Sequence, residues 1–567
     1  MSDASSRDAR DARGTRDGAP AEVTIVADGR EARVPSDVTV AAALTNLGVR
    51  AFRRSATRGE PRAPLCGMGV CYECRVCVDG VEQRRSCMIP VADGQVVWTG
   101  HGVGSGGSQR PRDVSGGRSR PATPDPRPPA FDIVVIGAGP AGIAAATRAA
   151  ESGRRVVVLD ESPEVGGQIW RHRATRGAPR AARRWIARLG RSGATVLRGA
   201  SVVDAHGDSQ SGFVVTAEQG DAPVVVRARA LVLATGARER FLPFPGWTLP
   251  GVIGVGGAQA LLKAGASFAG KRVVVAGSGP LLLPVASSLA AAGARVVLVA
   301  EQAPRHAVAR FALGLWRRPL VLLEAARYRA GFSRTPYETG TWVTAARGDG
   351  RVERVELTDG TGEGRATRTI ECDVLCAAHG LVPGSELARL LGCATAAGGA
   401  VVVDGRQQTT RAGVYCAGEP TGVGGVELAL AEGEVAGLAA AGRDADARAL
   451  AGRRLTGLRA AAAAMERAFA PRAELRDVAT PETIVCRCED VTLEEIEPAW
   501  TPRQAKLYTR AGMGACQGRV CGTALEFLFG WPAHDAARVP TEPALLSTLL
   551  AGAAHSAAAP PDQQHGA

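Results

Sequence analysis

The sequence contains few lysine, asparagine and aromatic residues. Lysine occurs only at Lys263, Lys271 and Lys506, Asn46 is the sole asparagine, and aromatic residues make up 4% of the 567 residues. The net charge of +12 therefore comes almost entirely from arginine. These arginines are spread along the chain without the interleaved aromatic residues typical of nucleic-acid-binding surfaces. We therefore predict no nucleic acid partner.

Long apolar runs are also missing. One of the two longest uncharged segments, Val273–Ala294, is interrupted by the sequence GSGP and again by Pro284. It therefore predicts a strand, a turn and a helix of a globular domain rather than a membrane span. The alternation of Arg and Asp between Arg7 and Asp17 is unlike a secretory signal, which needs an apolar core. We expect a cytoplasmic chain without a transmembrane segment, and a peripheral position at the inner face of the membrane stays open.

Cysteine is scarce in the middle of the chain. Of the 13 cysteines, five lie between Cys66 and Cys87 and four between Cys486 and Cys521. A secreted disulfide scaffold would not leave so long a stretch thin in cysteine, so the clustering favours metal or iron–sulfur ligation in a reducing compartment. Three of the remaining cysteines lie in strand-like segments and are interpreted as buried core thiols: Cys372, Cys376 and Cys416.

The chain alternates strand-like and helix-like segments over its central part. Between Phe131 and Gly442, short β-branched runs that end in Gly or an acidic residue alternate with Ala-rich stretches, the rhythm of parallel βαβ units. Before this region, EVTIVADGREARV predicts two strands around a turn, and Ser36 is predicted to cap a short helix. The intervening segment from His101 to Pro129 is rich in Gly, Ser, Pro and Arg, which predicts a flexible linker.

A dinucleotide-binding motif opens the central part. In IVVIGAGPAG, Gly137 allows the tight turn, Gly139 lets a diphosphate reach the backbone, and Gly142 lets the helix pack on the strand. The amide groups at the start of the helix would then hold the diphosphate. Asp160 ends the next strand and is placed to accept hydrogen bonds from ribose hydroxyl groups.

Further segments favour FAD over NAD at this site. A Gly pair with an amide side chain could lie against an isoalloxazine ring, ATG ends a later strand, and a late Gly-Glu pair precedes a Gly-rich helix start. The residues concerned are Gly167, Gln168, Thr235, Gly236, Gly418 and Glu419. The stretch from 131 to about 440 resembles the flavoprotein reductases with two dinucleotide-binding domains. In that family the ATG and late Gly-Asp motifs complete the FAD site, and here Glu419 takes the place of the Asp.

A second nucleotide-binding motif, VVVAGSGPLLLPVA, departs from the pattern. It keeps Gly277 and Gly279, and Glu301 ends the following strand, but Leu282 occupies the third Gly position, where it would push the helix away from the strand. The segment is therefore compatible with NAD(P), with another nucleotide, or with a structural relic that binds none. This part of the chain contains no CxxC pair, so the disulfide relay of thioredoxin reductases is not expected.

The first cysteine cluster has the spacing of a plant-type [2Fe–2S] site. Cys66, Cys71 and Cys74 follow the pattern C-x4-C-x2-C, and Cys87 completes four ligands. The glycines between the first two cysteines allow the tight loop that such a cluster needs. The motif gives Cys77 no ligand role, and zinc is the alternative metal. The preceding strands together with this loop resemble the β-grasp domains of the ferredoxin type.

The second cluster combines a C-x-C pair with a Gly-rich C-x4-C pair. Its members are Cys486, Cys488, Cys516 and Cys521. Together, CRCEDVT and TRAGMGACQGR resemble the [2Fe–2S] domain of bacterioferritin-associated ferredoxin (the BFD-like domain), although the gap between the two pairs is shorter than is usual there. The resemblance implies a second [2Fe–2S] cluster, and zinc is again the alternative.

The predicted fold class is therefore α/β. Its core is a two-dinucleotide-binding, Rossmann-like FAD oxidoreductase, joined to an N-terminal β-grasp ferredoxin-like domain and a small helical C-terminal [2Fe–2S] domain. The predicted boundaries are as follows: disorder over 1–20, the ferredoxin-like domain over 21–100, a linker over 101–130, the FAD domain over 131–245 and 385–442, the second nucleotide-binding-like domain over 246–384, a helical connector over 443–480, the BFD-like domain over 481–530 and a tail over 531–567.

This domain order resembles two subunits fused into one chain. The order is similar to that of the iron–sulfur and flavoprotein subunits of hydrogen cyanide synthase and of the opine and D-hydroxyproline dehydrogenases. The resemblance implies a partner subunit, similar to amino-acid oxidases, that oxidises a C–N bond on its own FAD. The present chain would accept the electrons on FAD and pass them through two [2Fe–2S] clusters to a quinone, a ferredoxin or a cytochrome.

Two other functions are compatible with the sequence. A self-sufficient NAD(P)H-dependent reductase would use the second nucleotide motif, which Glu301 favours and Leu282 disfavours. A non-enzymatic iron-exchange or interaction protein would need the C-terminal domain but not a complete FAD site. We identify no catalytic acid or base, because His172 and His379 are interpreted as surface and structural residues. The lack of a catalytic base favours electron transfer.

Overall fold

The computed structural model describes residues 20–100, 128–173, 175, 177–360, 367–531 and 537–557. The predicted disorder over residues 1–20 and the predicted linker over 101–130 therefore lie almost entirely outside the described residues. Within the described ranges, none of the helices combines the length and the apolar character needed to cross a bilayer.

The N-terminal domain is a five-stranded sheet that covers one helix. The sheet has the order β2-β1-β7-β5-β6, in which β1 and β7 are parallel and the other neighbours are antiparallel. The elements are β1 Glu22–Ala27, β2 Arg30–Pro35, α1 Val40–Asn46, β3 Arg53–Arg54, β4 Pro61–Arg62, β5 Arg75–Val78, β6 Val81–Arg85 and β7 Val96–Trp98. The prediction of Ser36 as helix cap was wrong. Thr39 caps α1 instead and accepts a hydrogen bond from the Ala42 N–H at 3.3 Å.

A seven-stranded sheet forms the centre of the first nucleotide-binding domain. The strand order is β10-β9-β8-β13-β12-β11, and the later strand β24, Val414–Cys416, pairs in parallel with β13. β8 is central and buried on both faces from Ile133 onward, as expected for a parallel strand covered by helices. The elements are β8 Ala130–Ile136, α2 Pro140–Glu151, β9 Val156–Asp160, α3 Arg180–Arg191, β10 Thr195–Arg198, β11 Ala200–Asp208, β12 Gly212–Gln219, β13 Ala222–Leu233 and β14 Ala237–Glu239.

The second nucleotide-binding-like domain is built on a parallel sheet of order β15-β22-β16-β17-β18, beside a small antiparallel sheet β19-β20-β21. Its elements are β15 Val252–Ile253, α4 Val255–Lys263, β16 Arg272–Ser278, α5 Leu282–Ala291, β17 Arg295–Glu301, α6 Arg305–Gly314, α7 Pro319–Ala330, β18 Tyr337–Thr339, β19 Trp342–Arg347, β20 Arg354–Thr358, β21 Thr367–Glu371 and β22 Val374–His379.

The chain then returns to the first nucleotide-binding domain and leaves it through a long helix. The elements are β23 Leu381–Pro383, which pairs with β14, followed by α8 Glu386–Leu390, β24 Val414–Cys416, α9 Val426–Ala440 and α10 Asp444–Ala468. Helix α9 packs very closely on α2. A Cβ atom added at Gly433 or Gly437 would lie 2.2 Å from a carbonyl oxygen of α2, so only glycine permits this contact.

The C-terminal domain is small and mostly helical. Its elements are β25 Ile484–Cys486, β26 Val491–Thr492, α11 Pro502–Thr509 and α12 Cys521–Phe529. Within the predicted tail, α13 Leu546–Ala557 packs against β12 and β13 of the first nucleotide-binding domain.

The domains share their hydrophobic cores. One core joins Ile25 and Leu44 of the N-terminal domain to Val255 and Val273 of the second nucleotide-binding-like domain. Another joins the loop around Cys66 to the second sheet and to the C-terminal domain. Because apolar surface is buried between the domains as well as within them, both cysteine loops are held in fixed positions relative to the nucleotide-binding domains.

Candidate redox site

The first Gly-rich loop has the backbone geometry of a diphosphate-binding turn. Gly137 has φ of +100°, and a Cβ atom at Gly142 would lie 1.8 Å from the Gly137 carbonyl oxygen, so both positions require glycine. At Gly139 the nearest atom to an added Cβ is Gly167 Cα at 3.9 Å. The loop is therefore packed tightly on its protein side and open on the side where a diphosphate would bind.

Asp160 closes this loop from the end of β9. Its buried carboxylate accepts hydrogen bonds from the Ala138 N–H and, at 2.7 Å, from the Ser162 N–H. Burial raises the pKa of Asp160, although the two backbone hydrogen bonds act in the opposite direction. The acid thus lies directly beside the Gly-rich loop, as required for a residue that would hold a ribose.

Two buried side-chain oxygen atoms of this region lack a protein partner. They are Oε1 of Gln168 and Oε2 of Glu419, neither of which has a hydrogen-bond partner among the described residues. Glu419 Oε1 accepts from the Gly425 N–H at 2.9 Å. Burial raises the pKa of Glu419 to about 7. Unsatisfied buried acceptors are costly, so these two atoms fit a bound group that carries hydroxyl or N–H donors, as FAD does.

The ATG segment and the late glycine motif complete the same region. Thr235 donates to the Gly384 carbonyl oxygen at 2.5 Å, and Gly236, with φ of +74°, has open space where a Cβ would be. Gly418 has φ of +81° and lies against α2, where an added Cβ would be 2.7 Å from Ala141 Cβ.

Glu432 is a residue of this site that sequence reasoning missed. It lies in α9, is only 1% exposed, and accepts hydrogen bonds from the Gly418 N–H at 3.0 Å and from Thr421 Oγ1 at 2.7 Å. Arg459 of α10 pairs with its other oxygen at 2.9 Å. The available signal in the sequence was a carboxylate in the middle of an Ala-rich, otherwise buried helix. A buried charge is stable only when it is paired or hydrogen-bonded, so this carboxylate indicates partners nearby.

The four N-terminal cysteines meet in one buried loop region. Cys66, Cys71, Cys74 and Cys87 are each 2% exposed. Their thiols interact in two pairs, Cys66 with Cys71 and Cys74 with Cys87. Backbone N–H groups also point at the sulfur atoms, such as that of Cys71 toward Cys66 Sγ at 3.4 Å.

The C-terminal cysteines show the same arrangement. Cys486 interacts with Cys521 and Cys488 with Cys516, and all four are buried. Within the described ranges, no three His, Cys, Asp or Glu side chains surround a position for a single metal ion. Two pairs of thiols suit a two-iron cluster, in which each iron takes two protein ligands, better than a single tetrahedral zinc ion.

The segment around Gln168, which is predicted to lie against FAD, touches the first cysteine loop directly. Arg171 Nη1 donates to the carbonyl oxygen of Gly67 at 2.6 Å. Lys263, at the end of α4, donates to the carbonyl oxygens of Gln168 at 3.1 Å and Ile169 at 2.8 Å. Burial lowers the pKa of Lys263 to about 8. The two side chains hold the cysteine loop and helix α4 against the segment that would face the flavin.

A buried carboxyl group lies at the other end of α4. Glu239 accepts hydrogen bonds from the N–H groups of Gly256 and Gly257 at 2.5 and 3.0 Å. Burial raises the pKa of Glu239 to about 8 despite these bonds. A Cβ at Gly257 would be 2.3 Å from the Leu65 carbonyl oxygen, so α4 begins in direct contact with the first cysteine loop.

The second Gly-rich motif is partly covered by the chain itself. Gly279 N–H donates to buried Glu301 at 2.8 Å, and Leu282 is buried at the start of α5. The segment that follows α10, residues 469–472, lies across the ends of β16 and β17. Ser278 donates to the Phe469 carbonyl oxygen at 2.6 Å, and Gln302 binds the Ala470 carbonyl oxygen at 3.1 Å. Ligands of this fold bind at such strand ends.

The two histidines singled out in the sequence have different surroundings. His172 Nδ1 is 2.8 Å from the Trp170 carbonyl oxygen. His379 ends β22, is buried, and has its pKa lowered to about 4 by burial and by the neighbouring Arg240. Nδ1 of His379 has no hydrogen-bond partner among the described residues, and the structural roles of both histidines stay predictions.

Three family models match the chain and together cover most of the described residues. Residues 131–433 match the family "Pyridine nucleotide-disulphide oxidoreductase". Residues 20–102 match the "2Fe-2S iron-sulfur cluster binding domain", and residues 484–530 match the "BFD-like [2Fe-2S] binding domain". This chain belongs to the pyridine nucleotide-disulphide oxidoreductase family. The chain is thus an FAD-dependent oxidoreductase with two domains of the [2Fe–2S]-binding type, and the predicted fold class is confirmed.

Curated relatives show which members of this family the chain resembles. An opine oxidase subunit of Agrobacterium tumefaciens is 34% identical over 435 residues, which are 69% of this chain and 84% of the relative. The hydrogen cyanide synthase subunit HcnB of Pseudomonas aeruginosa is 32% identical over 422 residues, 68% of this chain and 90% of the relative. The resemblance to this group is confirmed.

A solved structure shows the same fold over almost the whole chain. The crystal structure of L-proline dehydrogenase from P. horikoshii superposes with a TM-score of 0.66 at 21% identity and covers 94% of this chain and 98% of that one.

Proposed function

We propose that this chain is the electron-transferring subunit of a complex that oxidises an amino acid or an opine. A partner flavoprotein, similar to amino-acid oxidases, removes two electrons from the C–N bond of the substrate. The present chain receives them and delivers them to an external acceptor. The names of the relatives, which are subunits of opine oxidase and hydrogen cyanide synthase, support a partner subunit.

One observation carries this proposal: the second nucleotide motif is covered by residues of the same chain. Ser278 and Gln302, at the strand ends where a nicotinamide nucleotide would bind, instead bind the carbonyl oxygens of Phe469 and Ala470. The FAD region, in contrast, leaves buried acceptors without protein partners. The contrast favours electrons that come from a partner protein over electrons that come from NAD(P)H.

The residues that would hold the cofactors are those described above. Gly137, Gly139, Gly142 and Asp160 would hold the diphosphate and ribose of FAD, and Gln168, Thr235, Gly236, Gly418 and Glu419 would surround the rest of the molecule. The eight paired cysteines would hold two clusters. When bound, these groups would supply the conversion of a two-electron input into one-electron outputs. Arg171 and Lys263 hold the FAD-site segment and the first cysteine loop at a fixed separation.

An anaerobic titration of the purified chain tests the source of the electrons. NADH and NADPH are added separately while the visible bands of flavin and iron–sulfur groups are recorded, and dithionite serves as the control for full reduction. We expect bleaching by dithionite alone. Rapid bleaching by either nucleotide would show that the chain is a self-sufficient reductase and would refute the proposal.

A further inference from the structure

The two cysteine loops are joined by a buried ion pair. Glu73 lies between Cys71 and Cys74, and Arg487 lies between Cys486 and Cys488. Arg487 Nη2 is 3.3 Å from Glu73 Oε2, and the two side chains are 3% and 1% exposed. Each of the two cysteine loops therefore contributes one charged residue to the pair, although these residues are 414 positions apart in sequence.

Further contacts fix this pair from both sides. Arg53 of the N-terminal domain binds the other oxygen of Glu73 at 2.8 Å. Arg487 donates to the Trp247 carbonyl oxygen at 2.7 Å, and its guanidinium group lies 4.8 Å from the centre of the Trp247 ring. A second buried pair, Arg62 with Asp490 at 2.6 Å, lies beside it.

The same pair borders a cavity shared by the two ligand sets. The cavity is lined by Cys71 and Glu73 from the N-terminal loop and by Arg487, Cys488, Cys516 and Cys521 from the C-terminal domain. No intervening domain separates the two sets there. Since Arg171 joins the first loop to the FAD site, the order of contact is FAD site, N-terminal set, C-terminal set.

Stability alone does not explain such a pair. Two charges taken out of water cost several kcal/mol each, and apolar residues of similar volume are often at least as stable as a buried ion pair. The position of the two charges has a different consequence. A positive charge beside a cluster favours its reduced form, which carries one more electron, and a negative charge disfavours it. Glu73, within the N-terminal loop, therefore favours release of the electron from that set, and Arg487, within the C-terminal loop, favours its capture there. Each charge also acts on the facing set, Glu73 on Cys488 and Arg487 on Cys71, so its bias is set by the difference between its distances to the two sets.

We propose that the Glu73–Arg487 pair is the junction between the two clusters and gives electron flow its direction. With clusters bound at both cysteine sets, an electron would enter the N-terminal set from the FAD side, pass to the C-terminal set and leave from there. Each transfer would move one electron, oxidising the group at the donor set and reducing the group at the acceptor set. Glu73 and Arg487 act as positioning residues. The inference rests on the proposed function only in taking the two clusters as electron carriers.

The first test is electron paramagnetic resonance on the whole chain reduced with dithionite. Clusters that share a cavity are expected to interact magnetically, which broadens or splits both signals. The variants Cys74→Ser and Cys488→Ser, each expected to lose one cluster, should give a simple unsplit signal from the other. Two unperturbed, additive signals in the unmodified chain would overturn the proposed junction.

The second test measures the midpoint potential of each cluster in charge variants. Arg487→Gln is expected to make the C-terminal cluster potential more negative, and Glu73→Gln to make the N-terminal one more positive. Either change should shift the equilibrium distribution of a single electron toward the N-terminal cluster by about threefold or more. Arg487→Lys keeps the charge and should retain the original order. Arg510→Gln is the matched control, because Arg510 pairs with Glu489 near the same loop but is 66% exposed.

The measured potentials either support the proposed junction or contradict it. A larger shift of the C-terminal potential in Arg487→Gln and of the N-terminal potential in Glu73→Gln supports it, whereas unchanged potentials or equal shifts of both clusters contradict it. If Arg487→Gln fails to retain iron, the potentials are measured in Glu73→Gln and in the double variant instead. The double variant removes both charges of the pair together. Dithionite supplies the electrons throughout. Failure of the partner hypothesis in the nucleotide titration therefore remains distinguishable from failure of this one.

Discussion

The guanidinium group of Arg171 is joined to the carbonyl oxygen of Gly67 by a 2.6 Å hydrogen bond. Arg171 comes directly after the loop that would face the flavin, and Gly67 comes directly after the first cysteine ligand of the N-terminal set. This side chain therefore connects the segment that would face the flavin to the first cysteine loop, a contact that Lys263 supports through helix α4.

Replacing Arg171 by Met should destabilise the chain. The variant leaves the buried carbonyl oxygen of Gly67 without its donor, which costs about 1–3 kcal/mol. We expect the apparent melting temperature of the FAD- and iron-loaded protein to fall by a few degrees in differential scanning calorimetry. Arg180→Met, at an exposed position, should change stability by less than about 0.5 kcal/mol. Equal melting temperatures for the two variants would contradict the structural role of Arg171.

The cysteine assignment predicts the iron content of three variants. The unmodified chain should contain about four iron atoms, and Cys74→Ser or Cys488→Ser about two, with FAD retained, since each cluster needs four thiolates. Cys77→Ser, which alters the fifth cysteine of the N-terminal segment, should keep all four. Iron and acid-labile sulfide analysis checks this. Zinc in place of iron after anaerobic purification would show that the sites are not iron–sulfur centres.

Gly142→Ala should abolish FAD binding. The added methyl group would lie 1.8 Å from the Gly137 carbonyl oxygen, so helix α2 must move away from β8 and the diphosphate-binding turn is lost. Gly190→Ala in α3 is the control. Its methyl group meets no atom within 4 Å, and a helical Gly→Ala change adds up to about 1 kcal/mol of stability. The ratio of flavin to protein absorbance distinguishes the two, and full flavin in Gly142→Ala would refute the assignment of this loop.

Glu432→Ala should weaken FAD binding by loosening the Gly418 turn. The substitution removes the acceptor of the buried Gly418 N–H and the partner of Arg459. The unpaired N–H costs about 1–3 kcal/mol, and Arg459, which is 41% exposed, adds little to this. Glu427→Ala, on the same helix but 62% exposed, provides the comparison. We expect dilution to release flavin from the first variant at concentrations where the second retains it.

Glu301 should make stability depend on pH. Burial raises its folded pKa to about 7, above the value of about 4.3 for an exposed Glu. The folded state therefore binds more protons than the unfolded state between these values, and stability falls as pH rises through this range. Glu301→Gln removes this contribution. The melting temperature difference between the two proteins should shift in favour of the variant from pH 5 to pH 8, and parallel pH profiles would contradict the raised pKa.

Local chemistry could be predicted from the sequence. The Gly-rich loop after β8 and the C-x4-C-x2-C spacing each fix a short segment of backbone, and the fold class followed from them. The family models match both cluster domains and the flavoprotein core. The roles of individual residues in binding FAD and iron remain predictions, to be checked with the variants above.

Contacts between distant segments could not be predicted. Glu432 with Gly418, and Glu73 with Arg487, meet only because helices and domains pack in a particular way. Glu542 is the most distant case. Its carboxylate joins Arg85 at 3.1 Å, Arg519 at 3.3 Å and Ser201 at 2.9 Å, and so links three domains. The residues around Glu542 show no periodic pattern or motif. Its partners lie as many as 457 positions away in the sequence, so no local signal indicates these contacts.

Residues 469–472 cover the second Gly-rich motif, so they compete with a dinucleotide for the same crevice. A dinucleotide that enters this crevice must first displace residues 469–472 from Ser278 and Gln302. Its apparent dissociation constant then equals the intrinsic constant divided by the fraction of molecules with the crevice open. If about one molecule in a hundred is open, affinity falls about a hundredfold. Rejection of nicotinamide nucleotides thereby becomes a matter of conformational equilibrium, which a change in the segment could alter without any change in the crevice itself.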